Sequence, residues 1–145
     1  VILSKACEYG VKAVIFIAVN AQDGKKVSLK ELTANIESPE AYTSKILQKL
    51  VREDIVKSNK GAQGGFEITD NQLSELLLWD VVKTIDGVGI VDNCALGMNK
   101  CSTENPCPLH KDYEAVRLEI KKLMKQTTIK NLSKRVKEGE SVLKN

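Results

Sequence analysis

The chain has 145 residues, 42% hydrophobic and 28% charged, with a net charge of +3, which describes one folded domain, or a small domain with an appendage, and excludes a disordered chain. Its longest apolar run, residues 13–19, is too short to cross a bilayer and has no basic leader or small-residue cleavage site, so the expectation is a cytoplasmic protein with no membrane partner. Ten basic residues stand against nine acidic ones up to Asp70, and twelve against ten after it, so any nucleic-acid binding must come from where the charges sit rather than from their sum.

Leu3, Cys7, Val11, Val14 and Ala18 recur at steps of four, four, three and four, the spacing of one face of an amphipathic helix. This helix is expected to end near Asn20, before the turn Gln22-Asp23-Gly24. Cys7 falls on its apolar face, where a thiol is normally buried and inert. Ser28 and Glu31 form a capping-box pattern that opens a short helix with Leu29, Leu32 and Ile36 inward. A third helix starts in "SPEAYTSKILQKLVRED". Here Ser38 suits the N-cap, Pro39 the first helical position and Glu40 the positive end of the helix dipole. Ile46, Leu47 and Leu50 share one side; Tyr42, Thr43, Lys45, Gln48 and Lys49 lie toward the other.

Next the period changes to two. "DIVKSNKGAQGGFEIT" reads as short strands at 55–58 and 66–69 joined by a glycine-rich loop. Three short helices followed by a β-hairpin make a winged helix-turn-helix. Residues 71–85 then read as a fourth helix, with Leu73, Leu76, Leu77 and Val81 as core candidates. From Pro108 a long helix carries Tyr113, Val116, Ile120 and Leu123 at steps of three, four and three. That stripe is assigned to a dimer contact, because a small winged domain offers it little core of its own. The tail from Thr127 is basic, weakly patterned and expected to fray. The expected fold is thus mainly α with a small β-hairpin wing. It divides into a DNA-binding head (1–70), a linking helix and cysteine-rich loop (71–107), a dimerisation helix (108–127) and a basic tail (128–145).

The segment "DNCALGMNKCSTENPCPLH" holds three of the four cysteines and the only histidine, spaced Cys94-x6-Cys101-x5-Cys107-x2-His110. Structural zinc sites usually show tight Cys-x2-4-Cys knuckles, because a short turn points two thiolates at one ion. Wide loops can instead wrap a larger object such as an iron–sulfur cluster. Zinc, a disulfide or separate thiol chemistry stay open on this segment alone. No Ser/His/Asp set and no phosphate-cradling loop with a catalytic lysine occurs, so an enzyme is not expected.

"LSKACEYGVKAVIFIA", "SPEAYTSKILQKL", "NKGAQGGFEI" and the three-cysteine loop follow one another at distances that resemble the IscR/NsrR-type family of bacterial winged-helix transcription regulators, over about residues 1 to 125. The resemblance implies a homodimer that binds a palindromic double-stranded DNA operator. It also implies an iron–sulfur cluster, often 2Fe–2S, in the three-cysteine loop, sensing cluster supply, nitric oxide or redox state. Cys94, Cys101 and Cys107 are then ligands, with His110 as fourth donor. Glu8 from the partner subunit is the alternative fourth donor, since some relatives use a carboxylate there. A zinc- or thiol-based redox regulator on the same fold is the alternative function. For DNA, the third helix is expected in the major groove. Ser38, Glu40, Tyr42, Thr43, Lys45 and Gln48 are the candidate contacts, with Lys60 and the Gly61 backbone at the minor groove. Two positions depart from the family pattern. Glu53-Asp54 replaces a turn that usually carries glycine, and Lys60 stands where the wing usually offers arginine.

Overall fold

The computed structural model describes residues 2–145. In chain order they form α1 (Lys5–Ala21), α2 (Leu29–Ile36), α3 (Glu40–Arg52), β1 (Lys57–Asn59), β2 (Gly65–Glu67), α4 (Asp70–Ser74), α5 (Leu78–Asp86), α6 (Gly89–Asp92), α7 (His110–Gln126) and α8 (Ile129–Lys137). The mainly helical, winged helix-turn-helix architecture read from the sequence is the one observed.

α1 is the axis of the head, packed by α8, α5, α2 and α3. Ser4 caps it, its hydroxyl accepting from the Cys7 N–H at 3.0 Å. The same residue binds Asp86 at the end of α5, through its hydroxyl and through its N–H at 2.9 Å. Gly10 lets α1 and α5 approach: a Cβ there would run into the Ile85 side chain. Val14, Ile17, Leu32, Ile36, Leu47, Leu50, Val81 and Ile129 are fully buried in one cluster, each worth about 1.5–3 kcal/mol of apolar burial. Ser28 caps α2 as expected, accepting from Glu31 N–H at 3.1 Å.

α3 begins one residue later than the sequence suggested. Pro39, not Ser38, holds the N-cap position, and it offers no side-chain cap bond. Thr43 compensates from within. It is fully buried, and its hydroxyl lies 2.7 Å from both the Pro39 carbonyl and the Ser38 hydroxyl. It can donate to the first and accept from the second.

The strands pair antiparallel with Lys57 opposite Glu67, Ser58 opposite Phe66 and Asn59 opposite Gly65. They are shorter than expected, because Ile55, Val56 and Ile68 turn into the core instead of continuing the ladder. Val27 adds a bridge to Phe66, and Gly65 (φ 138°) allows it, since a Cβ there would sit 2.9 Å from the Val27 carbonyl oxygen. The turn before the wing resolves one departure from the family pattern. Asp54 itself adopts the left-handed conformation, φ 60°, where glycine is the usual occupant. Gln72 holds it, donating to the Asp54 carbonyl at 2.9 Å and to its carboxylate at 3.2 Å.

The single helix expected over 71–85 is two. Thr69 and Gln72 cap α4 reciprocally, and Asp80 caps α5 by accepting from the Leu77 N–H at 2.9 Å. Between them the backbone pairs with the far end of α7: Leu78 N–H donates to Thr127 at 2.9 Å, and Ile129 N–H to Leu76 at 3.0 Å. Leu73, Leu76 and Val81 are buried as expected, while Leu77 is only half-buried. The tail is not frayed. Thr128 caps α8, whose Ile129 and Ser133 are buried against α1, and Lys137 pairs with Asp23 at 2.8 Å.

Candidate nucleic-acid interface and candidate metal centre

On α3, Glu40, Tyr42, Lys45 and Gln48 are exposed, and Ser38 just before it is half-buried. Thr43 departs from the expectation: with its side chain buried and its hydroxyl engaged, it supports the start of α3 rather than facing outward. Ser44, Gln48 and Arg52 of α3 face Ser58 and Phe66 of the wing across a groove. Ser44 and Arg52 were not among the sequence candidates. Their place four and twelve residues beyond Glu40, on the polar side of the helix, was the available signal. At the wing tip Lys60 and Gly61 are both exposed. Asn59 below them donates to Glu67 at 2.7 Å, and Lys26 pairs with the same carboxylate at 3.7 Å, so the wing is anchored while its tip stays free.

The cysteine loop is irregular except for the single helical turn α6. Despite their wide spacing in sequence, the Cys94, Cys101 and Cys107 sulfurs all lie within 4.8 Å of one another. Cys94 and Cys107 are 3.5 Å apart, and the Cys107 N–H points at the Cys101 sulfur at 3.4 Å. His110, the first residue of α7, meets this set through Cys101, its Nδ1 3.2 Å from that sulfur. Glu8 is not in the set; it pairs with Lys5 at 3.2 Å. Backbone N–H groups of Met98 and Leu96 hold the Cys94 thiol down to about 7, whereas burial, with Cys94 beside it, pushes Cys107 up. Cys7 lies apart from the loop, fully buried with Val82 and Met124. Its desolvation, reinforced by Asp86, pushes it up to about 12, as expected of an inert thiol.

Arg117 of α7 has no counterpart among the sequence candidates. Its guanidinium donates to the carbonyls of Asn93 at 3.1 Å and Asp92 at 3.4 Å, pinning the backbone immediately before Cys94. No motif spacing marks it; it emerges only from the packing of α6 on α7. Along the rest of α7, Val116, Leu118 and Leu123 are exposed, Tyr113 and Ile120 half-exposed.

A recognition helix beside an anchored wing, on a head stitched to a long helix with a cysteine loop, defines a winged helix-turn-helix transcriptional regulator. Residues 3–135 match the Rrf2 family, described as iron-dependent transcriptional regulators, and the chain belongs to that family. A protein of Aquifex aeolicus assigned as an HTH-type transcriptional regulator is 28% identical over 133 residues, covering 90% of each chain. The structure of CymR, the global cysteine regulator of B. subtilis, superposes with a TM-score of 0.73 at 19% identity, over 91% of this chain and 95% of that one. That of T. potens IscR gives 0.71 at 21% identity, over 97% and 91%. At these identities the two structures establish a shared fold. The family resemblance read from the sequence is thereby upheld. No helix among the described residues is long and apolar enough to cross a membrane.

Proposed function

We propose that this chain is a cytoplasmic, homodimeric regulator whose affinity for a double-stranded DNA operator is set by a 2Fe–2S cluster held by Cys94, Cys101, Cys107 and His110. The observation that carries this reading is the convergence of three thiols within 4.8 Å, with an imidazole nitrogen 3.2 Å from one of them. Thiolates and imidazole are the donors that such irons take. When bound, the group supplies a centre that responds to electrons, nitric oxide or iron supply. The protein's own residues do the rest. The Asp92–Asn93 backbone fixed by Arg117 aims Cys94, and His110 ties the loop to the first turn of α7.

α7 then carries its exposed Val116 and Leu123 to the partner subunit, while Ile120 packs inward beside Val82 and Met124. Any rearrangement at the loop thus reaches the helix that spaces two reading heads. Each head presents Glu40, Tyr42, Lys45 and Gln48 to a major groove, Ser38 to the adjoining backbone, and Lys60 with the Gly61 backbone to the minor groove. Half-sites are expected about one helical turn apart.

A second reading rests on one distance. Cys94 and Cys107, with sulfurs 3.5 Å apart, are close enough for a small movement to join them as a disulfide, and tetrahedral zinc would place two sulfurs about 3.8 Å apart at its usual bond length. A zinc- or thiol-based regulator would use the same loop without a cluster.

Anaerobic purification followed by visible spectroscopy and iron, sulfide and zinc analysis separates them. A brown protein with equal iron and sulfide, lost in Cys94→Ala, Cys101→Ala and Cys107→Ala but kept in Cys7→Ala, supports the cluster. Stoichiometric zinc, or no metal at all, refutes it. Loss or shift of the cluster bands in Glu8→Ala but not in His110→Ala would move the fourth ligand to Glu8 of the partner subunit.

A further inference from the structure

The residues after α8 return to the reading head. Leu143 packs against its core, and the Lys144 ammonium donates to the Ala34 carbonyl at 3.5 Å, near the C-terminal end of α2, where a helix dipole favours a cation. Residues 142–145 thereby form one wall of a cleft of about 420 Å³, whose other lining includes Lys5, Tyr9, Lys12 and Glu37. Tyr9 sits among the cations: the ammonium groups of Lys5 and Lys12 lie 5.4 and 5.9 Å from its ring centroid. Its ring also meets that of Tyr42 edge-on, with centroids 5.8 Å apart and an interplanar angle of 86°. Tyr42 is the exposed aromatic of the first turn of α3. The cleft is therefore continuous with the face that carries the recognition helix.

Its charge leans positive, with three ammonium groups against the Glu37 carboxylate. Lys5 is paired with Glu8, and Glu37 is the carboxylate in the lining, whereas Lys12 and Lys144 have no ion-pair partner among the described residues. A cleft with unpaired ammonium groups and a tyrosine hydroxyl suits phosphate oxygens, and here it adjoins a helix expected in a DNA groove.

We propose that this cleft binds the DNA backbone, with Lys12 and Lys144 contacting phosphates of the strand that borders the groove entered by α3. The C-terminal segment is then a working part of the DNA interface. This inference rests on the DNA-binding reading above.

The test uses the full-length protein and a 30-base-pair duplex selected by that protein from a random library. Each phosphate contact contributes about 0.9 to the slope of log affinity against log salt. The double variant Lys12→Gln/Lys144→Gln should stay folded with at most a small drop in melting temperature from the lost Lys144–Ala34 bond, and should bind the duplex with that slope reduced by about 3.6, from two lysines on each of two subunits; millimolar inorganic phosphate at constant ionic strength should not compete. A structural role for either lysine would lower affinity without changing the slope, which overturns the proposal. Binding of inorganic phosphate that vanishes in the double variant while the DNA slope stays unchanged would make the cleft a small-anion site, and also overturns it. If the protein selects no duplex, the DNA-binding reading fails and this one falls with it; selection with an unchanged slope removes the cleft alone.

Discussion

Thr43 offers the sharpest contrast between an outward polar residue read from sequence and the packed side chain observed. Thr43→Val keeps the shape and removes only the hydroxyl. In the native protein that hydroxyl sits 2.7 Å from the Ser38 hydroxyl and from the Pro39 carbonyl. The carbonyl retains the Thr43 N–H at 2.9 Å, so the loss is one good hydrogen bond plus a half-buried Ser38 left short of a partner. That amounts to about 1–2 kcal/mol. For a chain of this size it lowers the melting temperature by roughly 3–8 °C. Thermal unfolding by circular dichroism measures it, and DNA affinity measured well below the transition should stay within about threefold. An unchanged melting temperature with a tenfold or greater loss of affinity would place the hydroxyl in the groove and refute the packing argument.

Other expectations follow the same logic. Asp54→Ala should cost about 1 kcal/mol, because alanine must adopt φ 60° without the Gln72 bond to the carboxylate, while Asp54→Gly should be near neutral; urea midpoints decide. Cys7 should resist iodoacetamide at pH 8 in the folded apoprotein while the loop thiols react, as read by peptide mass mapping. Because its folded pKa is raised to about 12 from 9.0, the unfolded thiol ionises first. Its contribution is fully present below pH 9 and is lost as pH rises from 9 to 12, on the order of 1 kcal/mol of it by pH 10. Cys7→Ala should lack that decline in denaturant titrations at pH 8 and 10. Ile129→Ala should destabilise the head by about 2–5 kcal/mol, with the loss read as a lowered urea midpoint. Leu123→Asp, at an exposed position of the stripe assigned to the partner contact, should yield a monomer in sedimentation while preserving the helical spectrum.

The head was legible wherever a local rule and the packing agree. The three-and-four spacing of α1 and the Ser28 cap of α2 depend on residues close in sequence, and the structure keeps both. The break between α4 and α5 was not legible, since Leu76, Leu77 and Leu78 carry no glycine or proline and favour a continuous helix. What interrupts them is backbone pairing with Thr127 and Ile129, fifty residues away. α8 was half-hidden: Ile129, Leu132, Ser133 and Val136 have helical spacing once a serine is admitted to the inner face. The compact thiol set was foreshadowed only as a cluster of residue types, because two wide loops in sequence say nothing of how closely their ends meet. Arg117 left no trace at all, as its role lies in carbonyls that belong to other residues.

The contact of α8 with α1 also bears on how the molecule is made. α1 is completed by a helix made much later, with more than a hundred residues between Ala21 and Ile129. At about 5–20 residues per second, α1 waits on the order of ten seconds for its cover while the wing, the cysteine loop and α7 emerge. During that interval the site that Ile129 will fill stays open to solvent. The head can therefore close only after the cysteine loop has already been synthesised, so no nascent chain presents a finished head without that loop.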